Sequence, residues 1–138
     1  MKLKLFFLIF LQISLSSQTL YIIANKNFPQ EKITKNEVKA IYLDQKRYIQ
    51  GNKLLPLNLT LDNPLREIFE KNMLQKSRKH LERYWIKAHY KGHRPPKVLK
   101  SKDAMLSFVK CIDRAIGYTD DNLSQQTDIK ILLKLDIK

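Results

Sequence analysis

The sequence is poor in cysteine and glycine, and each shortage excludes a class of protein. Cys111 is the only cysteine among 138 residues, so no disulfide can form within the chain and no cysteine cluster can hold a metal. Three glycines and five prolines exclude collagen-like and mucin-like chains. With 43% hydrophobic residues and the length of one domain, the chain can bury a core. Its stability must therefore come from packing.

Acidic residues are also scarce, and a long apolar run occurs only near the start. Two lysines precede an apolar run over residues 5–13, and Ser14 and Ser16 follow it at the spacing of a cleavage site. The run is shorter than the roughly 20 residues of a spanning helix, so we expect no stable membrane span. We predict a cleaved signal peptide over residues 1–17 and a periplasmic domain over residues 18–138; a core strand or an uncleaved anchor is the alternative.

The charge excess persists without this leader. The chain has 26 basic and 13 acidic residues, and removing the leader's two lysines lowers the net charge from +13 to +11. In the cytosol such an excess would favour nucleic acid, because lysine and arginine neutralise phosphates. An exported protein meets lipid headgroups, envelope polymers, oxyanions or acidic protein surfaces instead. We therefore expect no nucleic-acid partner, unless the leader stays intact on a cytosolic product.

Strand-like and helix-like patterns alternate along the rest of the chain. Extended segments are predicted at residues 19–24, 54–59, 96–99 and 114–118. Helices are predicted to begin after Thr34 with Glu37 as its capping-box partner, after Asn63 followed by Pro64, after Ser77 and after Ser101. Residues 129–137 fit a final strand or a helix, and Pro56 predicts an edge or irregular strand position. The alternation predicts a layered α/β domain.

Several of these segments form one ordered set of motifs. They are Tyr21-Ile22-Ile23-Ala24-Asn25-Lys26, Ile33-Thr34, Glu37-Val38-Lys39-Ala40-Ile41-Tyr42-Leu43, Tyr48, Gly51, Leu57-Asn58, Arg66, Phe69, Trp85, Gly92, Pro95-Pro96 and Ala115-Ile116-Gly117-Tyr118. Over residues 20–120 the set resembles the phosphate-type periplasmic substrate-binding proteins of ABC transporters, in a short single-lobe form. The resemblance implies one lobe of a type II periplasmic-binding-protein-like fold, an α/β fold with a mixed sheet flanked by helices. It also implies non-covalent binding in phosphate or oxyanion ABC uptake or sensing.

The family's anion loop is altered in this chain. Where the resemblance implies Ser-Gly-Thr before an arginine, the sequence has Asn63, Pro64 and Leu65 before Arg66. Pro64 has no N–H to donate and Leu65 has no hydroxyl, so two donors are lost. The predicted ligand-binding residues are Thr60, Asn63 and Arg66. The alternative is a periplasmic interaction domain that kept the lobe fold but lost the anion site.

The resemblance implies partners as well as a ligand. Full-length members consist of two lobes around the ligand, and a single lobe cannot close over a solute by hinge motion. An ABC permease, a sensor, a second lobe or a second copy in a homodimer is therefore expected, besides phosphate or another oxyanion. We find no catalytic motif and predict no enzyme activity, no cofactor and no metal site.

Three remaining features have two interpretations each. The three histidines, His80, His89 and His93, are interpreted as solvated rather than as metal ligands. Trp85 is interpreted as a core residue rather than a stacking platform for a ligand. The lysine-rich stretches at residues 71–102 and 130–138 are either a solvated face or a landing surface for an anionic partner.

Overall fold

A five-stranded mixed sheet organises residues 18–137, the part of the chain that the computed structural model describes. The strands are β1 (Gln18–Asn25), β2 (Tyr48–Ile49), β3 (Asn52–Lys53), β4 (Leu55–Leu59), β5 (Lys97–Leu99), β6 (Ala115–Thr119) and β7 (Ile129–Ile137). The main sheet has the order β5-β4-β6-β1-β7, and β2 and β3 form a separate hairpin. Strand β4 runs parallel to β5 and β6, whereas β1 is antiparallel to both β6 and β7. The last segment, predicted as a strand or a helix, is therefore a strand.

Side-chain caps start each α-helix within residues 18–137. The helices are α1 (Lys35–Tyr42), α2 (Pro64–Phe69), α3 (Arg78–His89) and α4 (Lys102–Cys111). Thr34 and Glu37 form the predicted reciprocal capping box, and the side chains of Asn63, Ser77 and Ser101 accept from N–H groups in the first turns. These caps satisfy donors that a helix start leaves unpaired. The four helix starts predicted from the sequence are confirmed.

Helices cover both faces of the sheet. On β6, Gly117 faces α4 so closely that an added Cβ would lie 3.0 Å from the Met105 side chain. The neighbouring Tyr118 points to the opposite face, where its ring packs against Phe69 and Tyr42. Strand β1 is buried over six consecutive residues between these layers. The core is continuous across both faces.

Pro56 occupies the place in β4 where a proline costs least. The N–H of Leu55 donates to Arg114 on the side of β6, so the N of Pro56 faces the side of β5. The pairing of β4 with β5 begins only at Leu57. Pro56 therefore lies where one side of β4 is locally unpaired, although β4 is an interior strand, and no ladder bond is lost there.

The predicted leader, residues 1–17, lies outside the described residues. Within residues 18–137, no helix has both the length and the apolar character needed to cross a bilayer.

Candidate binding groove and its buried charge cluster

A groove of about 470 Å³ opens between α3 and the ends of β4 and β5. Strand β4 contributes residues at its carboxyl end, whereas β5 contributes Val98 and the two prolines that precede the strand. Most of its lining is apolar and comes from Leu43, Leu61, Leu74, Leu81, Trp85, Pro95, Pro96 and Val98. Tyr42, Asn58, Thr60, Arg66 and Glu70 supply the polar part of the lining.

Two aliphatic side chains at this groove are exposed. Leu61 follows β4 and is 54% exposed, and Val98 of β5 is 52% exposed. Apolar side chains at this exposure keep contact with water that a bound partner would remove. The groove therefore offers apolar surface to a ligand.

Polar atoms beneath the groove are satisfied internally. The Tyr118 hydroxyl donates to Asn58 Oδ1 at 2.5 Å, and the Leu59 N–H donates to the same oxygen at 2.9 Å. The Tyr42 hydroxyl donates to the Leu57 carbonyl at 2.8 Å. Burial raises the pKa of both tyrosines, so they stay protonated donors at neutral pH. These bonds fix Asn58 Oδ1 and the two tyrosine hydroxyls in the floor of the groove.

A buried carboxylate lies between two arginines beside the groove. Glu70 is 3% exposed and accepts from Arg66 Nε at 2.5 Å. Its second oxygen lies 3.8 Å from Arg78 Nε. Arg66 Nη1 donates to the Leu59 carbonyl at 2.8 Å, and Arg78 Nη1 donates to the Leu61 carbonyl at 2.7 Å. Both guanidinium groups thus already have anionic and carbonyl partners.

A change of helix type places Glu70 in this cluster. Helix α2 ends at Phe69 and a π-helical turn, Glu70–Leu74, follows it. The turn closes at Gln75, which has a φ of 56°. Arg66 and Glu70 are four residues apart, so they lie on one side of the continuous helical segment.

The three site residues predicted from the sequence have different environments. Thr60 and Arg66 both line the groove. The Thr60 hydroxyl beside the exposed carboxylate of Asp62 lowers the pKa of that group. Asn63 caps α2, since its Oδ1 accepts from the Leu65 N–H at 3.0 Å. Their role in ligand binding stays a prediction.

Sequence reasoning missed Glu70 and assigned Trp85 to the core alone. Glu70 has a sequence signal, since an acid four residues after Arg66 on a helix pairs with it. Trp85 is half-buried and lines the groove while its ring meets Tyr84 edge to face at 5.0 Å between centroids. It therefore belongs both to the packing of α3 and to the groove.

A second ionic cluster lies next to the segment of Pro95 and Pro96, which line the groove. Asp44 accepts from the backbone N–H of Arg94 and from both Nε and Nη2 of Arg47 at 2.9–3.0 Å. Burial favours a raised pKa for Asp44, but these hydrogen bonds outweigh it and lower the pKa. His93 Nδ1 lies 2.9 Å from the Asp44 carbonyl oxygen, so the prediction of a solvated ring is wrong for His93. The cluster fixes the segment that leads into Pro95.

The sequence matches no protein-family model and no curated protein at a significant level. Solved structures do share its fold. A putative phosphate ABC transporter substrate-binding protein with bound phosphate from Clostridium perfringens has a TM-score of 0.66 and 16% identity, over 84% of this chain and 44% of that one. An ABC-type phosphate transport receptor from Vibrio cholerae has a TM-score of 0.64 and 16% identity, over 84% and 46% of the two chains.

A third similar structure is PstS from Borrelia burgdorferi, with a TM-score of 0.56 and 13% identity over 75% of this chain and 41% of that one. At these identities the likeness shows the fold alone. It confirms the predicted mixed sheet flanked by helices, and the resemblance to phosphate-type substrate-binding proteins at the level of fold. The chain spans less than half the length of each of these structures.

Proposed function

We propose that the chain is an exported binding domain that acts without catalysis and recognises its ligand at the groove beside α3. The groove supports this proposal because it combines an apolar lining with a floor whose hydrogen bonds are internal. Ligand pockets commonly have this composition, with few polar groups among apolar walls.

The pairing of Glu70 with Arg66 is the observation that favours one ligand class. The Glu70 carboxylate, 2.5 Å from Arg66 Nε, neutralises the positive charge that an oxyanion would need. Pro64 supplies no N–H at the start of α2. An incoming anion would also be repelled by Glu70. The arrangement therefore supports an interaction domain that kept the lobe fold and binds an apolar segment of a partner protein in the groove.

An oxyanion is the second candidate, and one observation favours it. Arg66 and Arg78 together carry two positive charges against the single carboxylate of Glu70. Arg78 Nη2 is also buried without a hydrogen-bond partner among residues 18–137. In this version the domain binds phosphate or a related oxyanion for ABC uptake or sensing. An ABC permease, a sensor, a second lobe or a second copy would complete the site.

The only tryptophan in the sequence makes the groove directly observable. Trp85 lines the groove, so its fluorescence reports occupancy without a label. We expect phosphate, sulfate and pyrophosphate to leave the Trp85 emission unchanged in the wild-type protein. A neutral apolar dye such as Nile red should bind and shift it. Replacing Leu61→Asp together with Val98→Asp should remove dye binding, because both side chains are exposed at the groove.

Charge variants separate the two candidates. Glu70→Gln keeps the side-chain shape but removes the charge that neutralises Arg66, so it should gain a phosphate response that the wild type lacks. Saturable phosphate binding to the wild type that resists salt and disappears in Arg66→Ala would instead establish the oxyanion candidate. Lys53→Gln removes the same charge as Arg66→Ala and is its control, since Lys53 is exposed in β3, which does not line the groove.

A further inference from the structure

The outward face of α3 is unlike the face that lines the groove. Leu81 and Ala88 are buried against the domain, while the residues on the opposite side of the helix are exposed. We call this exposed side the α3 ridge and define it by Lys79, Arg83, Ile86, Lys87 and Tyr90. Over eleven residue steps the ridge extends about 17 Å at the α-helical rise of 1.5 Å per residue.

The cations of the α3 ridge are free to meet an external anion. Lys79, Arg83 and Lys87 form no ion pair with a carboxylate among residues 18–137. Glu82 is the one acidic residue in α3. By contrast, Lys46 and Lys102 elsewhere in the domain pair with carboxylates at 3.0 Å and 2.6 Å. The positive field of the domain is therefore uncompensated along this helix.

Exposed apolar side chains lie among these cations on the α3 ridge. Ile86 is 64% exposed and Tyr90 is 86% exposed, and they lie four residues apart, one helical turn. Helices that lie on membranes combine lysine and arginine with exposed aliphatic and aromatic side chains in this way. Tyrosine is enriched at the headgroup level, where its ring and its hydroxyl both find suitable surroundings.

We infer that the α3 ridge docks the domain on an anionic lipid surface, with the cations at the headgroup phosphates and Ile86 and Tyr90 between the headgroups. The long stems of lysine and arginine let their charges reach phosphates while the apolar tips are immersed. Leu81 and Trp85 lie on the inward side of α3, so docking leaves the groove uncovered. The inference is independent of which ligand the groove binds.

Vesicle co-sedimentation tests this inference. The probes are phosphatidylcholine vesicles with and without phosphatidylglycerol, at about 0.1 M and about 1 M salt, where the Debye length falls from about 10 Å to about 3 Å. The full chain and the chain from Gln18 onward are compared, because residues 1–17 are apolar and contribute binding only to the first. Circular dichroism checks that each protein is folded. We expect the shorter chain to bind anionic vesicles at low salt and not neutral ones.

Two triple variants of equal net charge isolate the ridge. Lys79→Gln, Arg83→Gln and Lys87→Gln together should weaken binding to anionic vesicles by roughly 100-fold, since each basic residue near such a surface contributes about fivefold. Lys26→Gln, Lys53→Gln and Lys110→Gln are the matched control, because these exposed lysines lie at the ends of β1, β3 and α4. This control should lose less than about fivefold.

An uncharged variant distinguishes a bilayer from an acidic protein surface. Ile86→Ser with Tyr90→Ser keeps the net charge and should weaken binding to anionic vesicles by roughly tenfold, because the immersed apolar area is lost. Equal losses in the two triple variants would overturn the inference. Binding to polyglutamate but not to anionic vesicles would also overturn it, in favour of an acidic protein partner.

Discussion

Arg66 and Glu70 should stabilise the fold as a pair, and removing the arginine alone should be costly. Arg66→Met keeps most of the apolar stem but takes away the charge-assisted bond to Glu70 at 2.5 Å and the bond to the Leu59 carbonyl at 2.8 Å. Losing the first costs about 1.5–3 kcal/mol and losing the second about 1 kcal/mol. Arg78 remains near Glu70 at 3.8 Å, with its side chain 37% exposed, and compensates only weakly. We therefore expect the free energy of unfolding to fall by about 3 kcal/mol.

The double variant Arg66→Met with Glu70→Met tests whether the loss comes from leaving Glu70 without its partner. Replacing both partners of a buried pair with apolar residues is often neutral, whereas breaking the pair leaves an uncompensated buried charge. We expect the double variant to recover at least about 2 kcal/mol of the loss. Urea unfolding followed by Trp85 fluorescence and by circular dichroism measures each free energy, and coincident transitions justify a two-state treatment.

Arg114→Met is the control, since Arg114 is exposed and its side chain makes no hydrogen bond or ion pair with the residues the structure describes. It should change the free energy of unfolding by less than about 0.5 kcal/mol. A loss below about 1 kcal/mol in Arg66→Met, or a double variant no more stable than the single one, would refute the role assigned to the pair.

Three further outcomes follow from local geometry. Gly117→Ala should destabilise the fold by about 1–2 kcal/mol in thermal or urea unfolding, because the new Cβ would lie 3.0 Å from Met105 Cγ and Sδ, and an unchanged stability would show that Met105 repacks freely. Thr34→Ala should cost about 1 kcal/mol by loss of the cap on α1, and Thr34→Ser should restore it. Burial raises the pKa of Asp44, but its hydrogen bonds lower it by more, so the net pKa is lowered. The ionised Asp44 therefore stabilises the fold fully at neutral pH, and this contribution is lost as the pH falls below about 4 through the folded-state pKa. Asp44→Asn should be less stable at neutral pH and show a shallower loss in acid; the same acid slope in both proteins would exclude this role.

Local chemistry explains why much of the fold was predictable. Thr34 with Glu37, and Asn63 before Pro64, satisfy helix-start donors within a few residues, so their signal is complete in the sequence. The final segment could not be assigned in this way. Its pattern fits a helix or a strand, and pairing with β1, more than a hundred residues earlier, decides it.

The candidate site was less predictable because its character depends on contacts between distant segments. The motif identified Arg66, but whether its positive charge is available to a ligand depends on Glu70 and on the Leu59 carbonyl. The π-helical turn that begins at Glu70 has no recognised sequence pattern. Likewise, His93 lies far from Asp44 in sequence, and only the tertiary fold brings them together. Helical spacing placed Trp85 on the inward side of α3, but it could not show that this side borders a groove.

The position of β1 has a consequence for the order of assembly. This strand begins at Gln18 and is hydrogen-bonded on one side to β6 and on the other to β7, which ends at Ile137. Among the strands of residues 18–137, the first to be synthesised therefore lacks both neighbours until β6 and β7 have followed it. Contacts this distant in sequence slow folding, because a long loop must close before they form. The topology thus delays completion of the sheet until the residues of β6 and β7 are available to pair with β1.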